Sequence, residues 1–288
     1  MTRTEHPRRL DAVLAEAGLG SRQQVRRLIR QGRVTVNGRP ERDPGRHVMP
    51  ASVEIAVDGR TVELLVGPVT LMLYKPRGVV TATRDVRQPT VVDGLPPALR
   101  RRLFPAGRLD KDTEGLVILT DDGDLCHQII SPRHGVEKEY HVELDGPVND
   151  GLAAEFAAGV RLSDGERARP ARLIVLRSEA PAVARVVITE GRYHQVKRMF
   201  GAFGLRVTYL CRLRIGSLQL DPTLSPGDYR PLTAREIGAL LVNPAAGILP
   251  SAGLSHRGLP ASRPPDHQPP AAGMGPSFAG DPDPTQAH

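Results

Sequence analysis

The chain has 288 residues (31.2 kDa), of which 40% are hydrophobic and 25% charged, as expected for one or two water-soluble domains. Its two cysteines, Cys126 and Cys211, exclude a disulfide framework and a Cys-x-x-Cys metal or redox pair. The longest apolar runs are too short to span a bilayer and the N-terminus lacks a signal core, which predicts a cytoplasmic protein with no membrane partner.

Positive charge is concentrated near the N-terminus. Lys and Arg number 39 against 32 Asp and Glu, which gives a net charge of +7 and a pI near 9.9. Residues 1–50 contain eleven arginines and five acidic residues, and so account for +6 of that total. Such a patch is typical of proteins that contact phosphates, but a solvated basic face explains the charge equally well.

The segment 10–30 predicts two short helices. Apolar residues recur at the spacing of one helical face in the order Leu10, Val13, Leu14 and Ala17. Gly18 and Gly20 predict the end of this helix. Ser21, with Gln24 three residues later, has the pattern of a capping box that begins the second helix.

The second helix carries arginines beside its apolar stripe. Arg22, Arg26 and Arg30 recur every four residues, so they share one side of the helix. Arg33 begins a short alternating strand, and Asn37-Gly38 after it predicts a tight turn. The pattern therefore indicates a helix–helix–hairpin module with one basic side.

The run RLDAVLAEAGLGSRQQVRRLIRQGRVTVNG at 9–38 resembles the small alpha-L RNA-binding module of a ribosomal small-subunit protein and several RNA-modifying enzymes. The resemblance implies that RNA is bound by shape and phosphate contacts, with little direct reading of bases. The candidate RNA-binding residues of the module are Arg22, Arg26, Arg30 and Arg33. We assign 8–55 to this domain and 56–68 to a flexible linker.

The main body is predicted over 69–243 and begins with a buried strand at 69–74. Alternating strand-like segments with few long helices favour a largely antiparallel sheet and an α+β fold. Residues 244–288 contain ten prolines and six glycines but few large apolar residues. We expect this tail to be disordered, because it cannot bury enough surface to offset the entropy of ordering.

A polar loop precedes an apolar strand in AGRLDKDTEGLVILTDDG at 106–123. Asp110 lies near Arg108 on this loop, where a carboxylate can be partly desolvated and still kept ionised by a cation, as a nucleophile requires. On spacing alone, an Asp that caps the turn or forms a surface ion pair is the more common interpretation. Asp112 and Glu114 are nearby, but their spacing does not select them.

The segment 135–144 alternates as a strand does. Tyr140, Val142 and Leu144 share one face, on which Tyr140 is either a base-stacking residue or a plain core tyrosine. Periodicity alone favours the core tyrosine. The chain has five Tyr, five Phe and no Trp, so a stacking surface has few candidates.

The segment EGRYHQVKRMF at 190–200 predicts a helix with an apolar face formed by Val196, Met199, Phe200 and Phe203. Lys197 and Arg198 fall in its first turn, where the helix dipole disfavours cations. Their position predicts a neighbouring anion, either a carboxylate or an RNA phosphate. The chain has only four lysines, and all of them lie in the motif-bearing segments of the main body: Lys75, Lys111, Lys138 and Lys197.

Together these segments resemble a known family. YKPRGVV, AGRLDKDTEGLVILTDDG, SPRHGVEKEYHV, EGRYHQVKRMF and RIGSLQLDPTLSPGDYRPLT occur in the order found in ribosomal RNA pseudouridine synthases of the RsuA/RluB family. The resemblance covers about residues 8–237 and is greatest to the branch that acts on 16S ribosomal RNA. It implies a pseudouridine synthase catalytic domain on a largely antiparallel sheet, with the RNA cleft on one side.

The resemblance also implies site residues. Asp110 matches the catalytic aspartate, and Arg108 matches the residue that helps to replace the extruded base. Tyr140 matches the tyrosine that stacks on the uracil, and Lys197 matches the basic residue that pairs with the catalytic carboxylate. Arg192 and Arg198, next to this lysine, are two further candidate RNA-binding residues.

The implied reaction converts a uridine of ribosomal RNA to pseudouridine after base flipping, with no cofactor and no metal. Asp110 either attacks the ribose C1′ or removes a ribose proton to give a glycal, and the sequence does not choose between them. The expected partner is ribosomal RNA or a pre-ribosomal particle, bound by a monomer. The alternatives are the same reaction on 23S ribosomal RNA and a non-catalytic RNA-binding or ribosome-assembly protein.

Overall fold

The computed structural model describes residues 6–62, 64 and 67–244. We call residues 8–62 the head and residues 67–244 the body. The tail that we expected to be disordered lies outside the described residues, apart from residue 244. Within the described part, no helix is both long enough and apolar enough to cross a membrane.

The head combines two helices with short strands. The α1 and α2 helices pack through Leu10, Val13 and Leu14 of the first and Val25 and Ile29 of the second, all buried. The elements of the head are β1 (Arg8–Arg9), α1 (Leu10–Glu16), α2 (Arg22–Arg30), β2 (Val34–Val36), β3 (Arg39–Glu41), β4 (His47–Val48), β5 (Ile55–Val57) and β6 (Arg60–Thr61). The predicted helix–helix–hairpin module is confirmed.

The capping box and the tight turn that the sequence predicted are both present in the head. Ser21 Oγ accepts a hydrogen bond from the Gln24 backbone N–H, and Gln24 Oε1 accepts one from the Ser21 N–H, which completes the capping box of α2. Asn37 and Gly38 both have positive φ values, of 50° and 75°, in the turn between β2 and β3. Such a turn matches the twist of the strands that it joins.

A buried carboxylate ties the two helices of the head together. Asp11 of α1 is fully buried and accepts hydrogen bonds from Arg9 and, at 2.7 Å, from Arg26 of α2. The bond from Arg9, opposed by burial and reinforced by Arg26, lowers the pKa of Asp11 to about 2. Arg26 therefore binds a carboxylate of the protein itself. The row formed by Arg22, Arg26 and Arg30 in the sequence had suggested that Arg26 is free to bind RNA.

The predicted linker begins too early at residue 56. Strands β5 and β6 belong to a four-stranded sheet of the head in the order β3-β2-β5-β6, in which Val34 pairs with Val57. Residues 56–61 are thus part of the head, because β2 would otherwise lack a hydrogen-bonded neighbour on that side. Local composition did not reveal a pairing with a strand twenty residues earlier.

The body is built on a nine-stranded sheet in the order β11-β12-β10-β13-β9-β7-β15, with β14 beside β13 and β8 beside β9. Every pairing is antiparallel except that of β13 with β9, which confirms the predicted α+β fold with a largely antiparallel sheet. Its strands are β7 (Thr70–Lys75), β8 (Phe104–Pro105), β9 (Glu114–Thr120), β10 (Lys138–Leu144), β11 (Arg172–Arg177), β12 (Ala182–Ile188), β13 (Val207–Ile215), β14 (Leu218–Gln219) and β15 (Tyr229–Pro231). Its helices are α3 (Pro97–Arg102), α4 (Gly123–Ile130), α5 (Leu152–Ala158), α6 (Gln195–Gly201) and α7 (Ala234–Ala239).

Helices α5 and α6 cover one face of the sheet. Phe156 of α5 and Phe200 of α6 lie 4.9 Å apart between ring centroids and share a core with Tyr140, Val142 and Leu144 of β10. The predicted apolar face of α6 is confirmed for the residues inside the helix. Phe203, which we placed on the same face, lies beyond the helix end, and its ring packs on Phe156 at 6.2 Å.

An arginine of α3 connects the body to the head. Arg101 Nη1 donates hydrogen bonds to the carbonyl oxygens of Ala15, in the last turn of α1, and of Gly20, in the turn before α2, at 3.0 and 2.9 Å. A cation is favourable near the C-terminal end of a helix.

The parallel contact between β9 and β13 depends on a glycine. Gly115 pairs with Arg212 and has a φ of +105°, a conformation that other residues adopt with strain. A Cβ at this position would lie 2.3 Å from the carbonyl oxygen of Arg212. The two strands can approach this closely only because residue 115 has no side chain.

Replacing Gly115 with Ala should lower the free energy of unfolding by at least about 2 kcal/mol, because strained φ and a backbone clash act together. Gly123, the first residue of α4, is the matched control, since a Cβ there meets nothing within 4 Å. The Gly123→Ala change should be neutral or stabilise by about 0.5 kcal/mol. Urea unfolding followed by circular dichroism measures both, and equal effects at the two positions would refute the clash.

Candidate active site

A cleft of about 1020 Å³ opens in the body. Its lining includes the 106–113 loop before β9, strand β10 and residues 190–197 at the start of α6, together with residues of the 80–85 loop, the end of α4 and strand β13. The first three are the segments in which the sequence placed its candidate chemistry. The cleft is large enough for a nucleotide, since small-molecule sites are generally 300–1,000 Å³.

Asp110 lies on the loop at the wall of this cleft. Its Oδ2 is 3.0 Å from Lys197 Nζ and its Oδ1 is 3.5 Å from His194 Nε2. The side chain is 24% exposed, so one part of the carboxylate is removed from water and another remains open to the cleft. The structure therefore brings Asp110 and Lys197 together as an ion pair at the wall of the cleft.

Lys75 at the end of β7 holds the Asp110 loop in place. Its fully buried ammonium donates hydrogen bonds to the carbonyl oxygens of Pro76, Lys111 and Thr113, at 3.0, 3.2 and 2.7 Å. Burial lowers the pKa of Lys75 to about 8, although nearby carboxylates, of which Asp112 acts most strongly, oppose this shift. The sequence marked Lys75 as unusual but did not reveal this role.

The cations at the start of α6 have carboxylate partners. Lys197 Nζ also donates to Asp112 Oδ1 at 2.6 Å, and Arg198 pairs with Asp164. Burial alone would lower the pKa of Lys197, but its bonds to Asp112 and Asp110 outweigh that effect and raise the pKa above the ordinary value. The anion predicted beside this helix turn is therefore supplied by the protein itself.

Tyr140 and Arg108 both line the cleft. Tyr140 is 7% exposed and packs in the core of the body, so it is a core tyrosine that also reaches the cleft. Arg108 is exposed two residues before Asp110, and no described residue hydrogen-bonds to its guanidinium or forms an ion pair with it. It is therefore available to a ligand.

Sequence reasoning missed His194, which contacts Asp110 and lines the cleft. Its φ of 48° is left-handed, and its ring stacks on that of Tyr193 with centroids 3.8 Å apart. Tyr193 is 72% exposed at the cleft. Two adjacent aromatic residues directly before a helix, in a chain poor in aromatics, were the available signal.

Most of the candidate RNA-binding arginines are engaged by carboxylates. Arg192 lines the cleft and pairs with Glu190 and Glu166, at 3.2 and 2.7 Å, and Arg33 pairs with Asp58. Arg26 and Arg198 have the partners described above. Arg22 and Arg30 are exposed on α2 and have no ion pair with any residue that the structure describes.

Metal-ligating side chains do not converge near this cleft or elsewhere in the described ranges, where no three His, Cys, Asp or Glu residues form a group that could hold an ion. Cys211 is buried and Cys126 is partly buried, both as free thiols.

Comparison with known proteins agrees with this geometry. Residues 69–202 match the family model described as RNA pseudouridylate synthase, and residues 8–52 match the S4 domain. Among curated proteins, the chain is 45% identical to ribosomal small subunit pseudouridine synthase A of Escherichia coli (strain K12), over 81% of this chain and all of that protein. It is 43% identical to the uncharacterized RNA pseudouridine synthase YtzG of Bacillus subtilis (strain 168), over 81% of this chain and 98% of that one.

A solved structure of a pseudouridylate synthase is also similar to this chain. The crystal structure of a pseudouridylate synthase is 41% identical, covers 81% of this chain and 99% of its own, and superposes with a TM-score of 0.57. The fold and the cleft define an enzyme with an RNA-binding head. The chain belongs to the RNA pseudouridine synthases of the RsuA/RluB type, as its motifs indicated.

Proposed function

We propose that the protein converts a uridine of 16S ribosomal RNA to pseudouridine and that Asp110 is the carboxylate that reacts with the ribose. The observation that carries this proposal is the position of Asp110. It lies in a nucleotide-sized cleft, 3.0 Å from the Lys197 ammonium and one-quarter exposed. An ionised carboxylate that is only partly solvated is a better nucleophile or base than one in bulk water.

The target uridine has to leave the RNA stack before Asp110 can reach its ribose. Base flipping costs a few kcal/mol, which phosphate contacts of the head and the cleft offset. Arg108 is exposed at the cleft and occupies the space that the base vacates. Tyr140 lies against the everted uracil, since its ring reaches the cleft from the core.

Two routes from the bound uridine remain, and both begin with ionised Asp110. In one, a carboxylate oxygen attacks C1′ and forms a glycosyl ester; in the other, the carboxylate removes a ribose proton and a glycal forms. In both routes the bond between C1′ and N1 breaks, and its electron pair leaves with the base. Lys197 Nζ lies 3.0 Å from one oxygen of Asp110, and His194 Nε2 lies 3.5 Å from the other.

The head supplies affinity rather than chemistry in this proposal. Arg22 and Arg30 project from α2 without a protein partner in the described chain, and thus contribute most of the phosphate contacts of that helix. The small ribosomal subunit is favoured as the source of the RNA because relatives that are 45–46% identical over nearly their whole length are named for it.

Asp110→Asn should reduce pseudouridine formation at least about 1,000-fold, because the amide neither attacks nor accepts the proton. Asp112→Asn is a close control, since both carboxylates bind the same ammonium and Asp112 is 69% exposed. It should lower the rate by less than about tenfold. Single-turnover conversion of ribosomal RNA and filter binding give the rates and affinities.

Near-normal turnover by the Asp110→Asn variant would remove this residue from the chemistry. Wild-type protein that binds the RNA without modifying it would instead support a non-catalytic role in ribosome assembly. The affinity of both variants should stay within about threefold of wild type, because neither change removes a phosphate contact.

Replacing Arg22 and Arg30 together with Gln should reduce the slope of log affinity against log salt by about two, since each arginine releases about one counterion. Arg26 is left intact because it satisfies the buried Asp11. Arg235→Gln on α7, exposed and outside the cleft, is the control and should leave the slope unchanged. An unaltered slope in the double variant would remove this helix from RNA binding.

Deletion of the gene should remove one pseudouridine from 16S ribosomal RNA, and expression of the wild-type protein, but not of Asp110→Asn, should restore it. Carbodiimide-based mapping of all ribosomal RNA measures this directly. Loss of a pseudouridine from 23S ribosomal RNA instead would reassign the substrate while leaving the chemistry in place.

A further inference from the structure

A second cation lies deep in the cleft, apart from the Lys197 pair. Lys138 is on β10, two residues before Tyr140, so the two side chains point to the same side of the sheet. Its side chain lines the cleft and is only 7% exposed. In the part of the chain that the structure describes, no group accepts a hydrogen bond from its ammonium.

Arg212 of β13 brings further positive charge to the same floor. Its backbone is paired with that of Tyr140, and its Nε donates to the carbonyl oxygen of Leu116 at 2.7 Å. Its Nη2 is buried and has no hydrogen-bond partner among the described residues. Burial, aided by the charge of Arg212, lowers the pKa of Lys138 to about 8.

Such an arrangement is unfavourable in the free protein. An ammonium or guanidinium removed from water loses hydration, and a partner of opposite charge or a strong acceptor normally compensates. The carboxylates that line the cleft already have other partners: Asp110 pairs with Lys197, Glu190 with Arg192, and Asp85 accepts from the backbone N–H groups of its own loop. Lys138 and Arg212 both line this cleft, and among the described residues nothing accepts a hydrogen bond from the Lys138 ammonium or from Arg212 Nη2, which indicates a ligand that brings its own acceptors.

We propose that Lys138 and Arg212 bind the carbonyl oxygens of the everted uracil and stabilise the negative charge that this base carries after its bond to the ribose breaks. The inference rests on the proposed function. When the C1′–N1 bond breaks, its electron pair stays on the base, and the charge spreads over N1, O2 and O4. Fixed donors aimed at those oxygens lower the barrier because they are already oriented.

The next step uses the negative charge of the base to form the new bond to the ribose. The base turns over and its C5 forms the new bond to C1′ with a pair from the ring. In the ester route the bond between C1′ and Asp110 breaks and its electron pair returns to the carboxylate; in the glycal route the double bond opens as C2′ takes back the proton that Asp110 removed. The C5 hydrogen then leaves as a proton, and N1 takes up a proton. No oxidant or reductant is required, and the two cations at the cleft floor return to their original state.

The depth of Lys138 favours a base over a phosphate as the acceptor. An RNA backbone follows the outside of a cleft, whereas a flat base enters edge first. Lys138 is only 7% exposed, in a strand that also contributes core residues.

The test compares Lys138→Met with Lys138→Arg, which keeps the charge. Lys138→Met should lower the single-turnover rate on the ribosomal RNA that the wild type modifies by about 100-fold, and Lys138→Arg by less than about tenfold. The same RNA transcribed from 5-fluorouridine has no C5 hydrogen to lose, so the reaction stops after the new C–C bond, and disappearance of the starting nucleoside reports cleavage of the C1′–N1 bond. Measured by that disappearance, the defect of Lys138→Met should shrink to about tenfold or less. Fluorine withdraws electrons and makes the base a better leaving group, so the lysine matters less.

The stability of Lys138→Met to urea is a second measurement, and it should not fall as the rate does. Because Lys138 is buried without a partner, Lys138→Met should unfold in urea at an equal or higher concentration than wild type while its rate falls. A lysine that only supports the fold would give lower stability and equal rate losses on both RNAs, and that result would overturn the inference. Weaker RNA binding with a smaller salt slope would show that Lys138 contacts a phosphate, which also overturns it.

These outcomes separate the two proposals. If wild-type protein forms no pseudouridine, the proposed function fails, and the role of the cleft-floor cations fails with it. If wild type is active and Lys138→Met matches it on uridine RNA, only the role of those cations is wrong.

Discussion

The ion pair between Asp110 and Lys197 joins two segments that are 87 positions apart in the chain. Removing part of a carboxylate from water costs free energy unless a cation lies beside it, and a lysine at the start of a helix is disfavoured by the helix dipole unless an anion lies beside it. Each side chain thus lowers the free-energy cost of placing the other at this position. The hydrogen bonds from Lys75 position the loop that carries Asp110, and the first turn of α6 positions Lys197. Together they place the carboxylate oxygen 3.0 Å from the ammonium nitrogen.

Much of the local structure could be predicted from short-range patterns. The capping box at Ser21, the Asn37-Gly38 turn and the apolar face of α6 depend on residues within one or two turns of each other. Helical and strand periodicity report which face is buried, and so these elements were predicted correctly. The residues of the main motifs also identified the family and the segments that form the cleft.

Long-range contacts explain what sequence reasoning missed. Arg26 looked like a free member of a basic row because its partner, Asp11, is on another helix. Strands β5 and β6 looked like a linker because their pairing with β2 is not visible in local composition. His194 reaches Asp110 only after the backbone adopts a left-handed conformation, which no periodic pattern encodes.

The close approach at Gly115 has an evolutionary consequence. It joins the strand that follows the Asp110 loop to the strand that carries Arg212, and at this contact neither backbone has room to move. Any drift in one strand would therefore displace both sides of the cleft at once. Descendants of this enzyme that acquire new RNA targets should change through the head and the surface loops, while the register between these two strands stays the same.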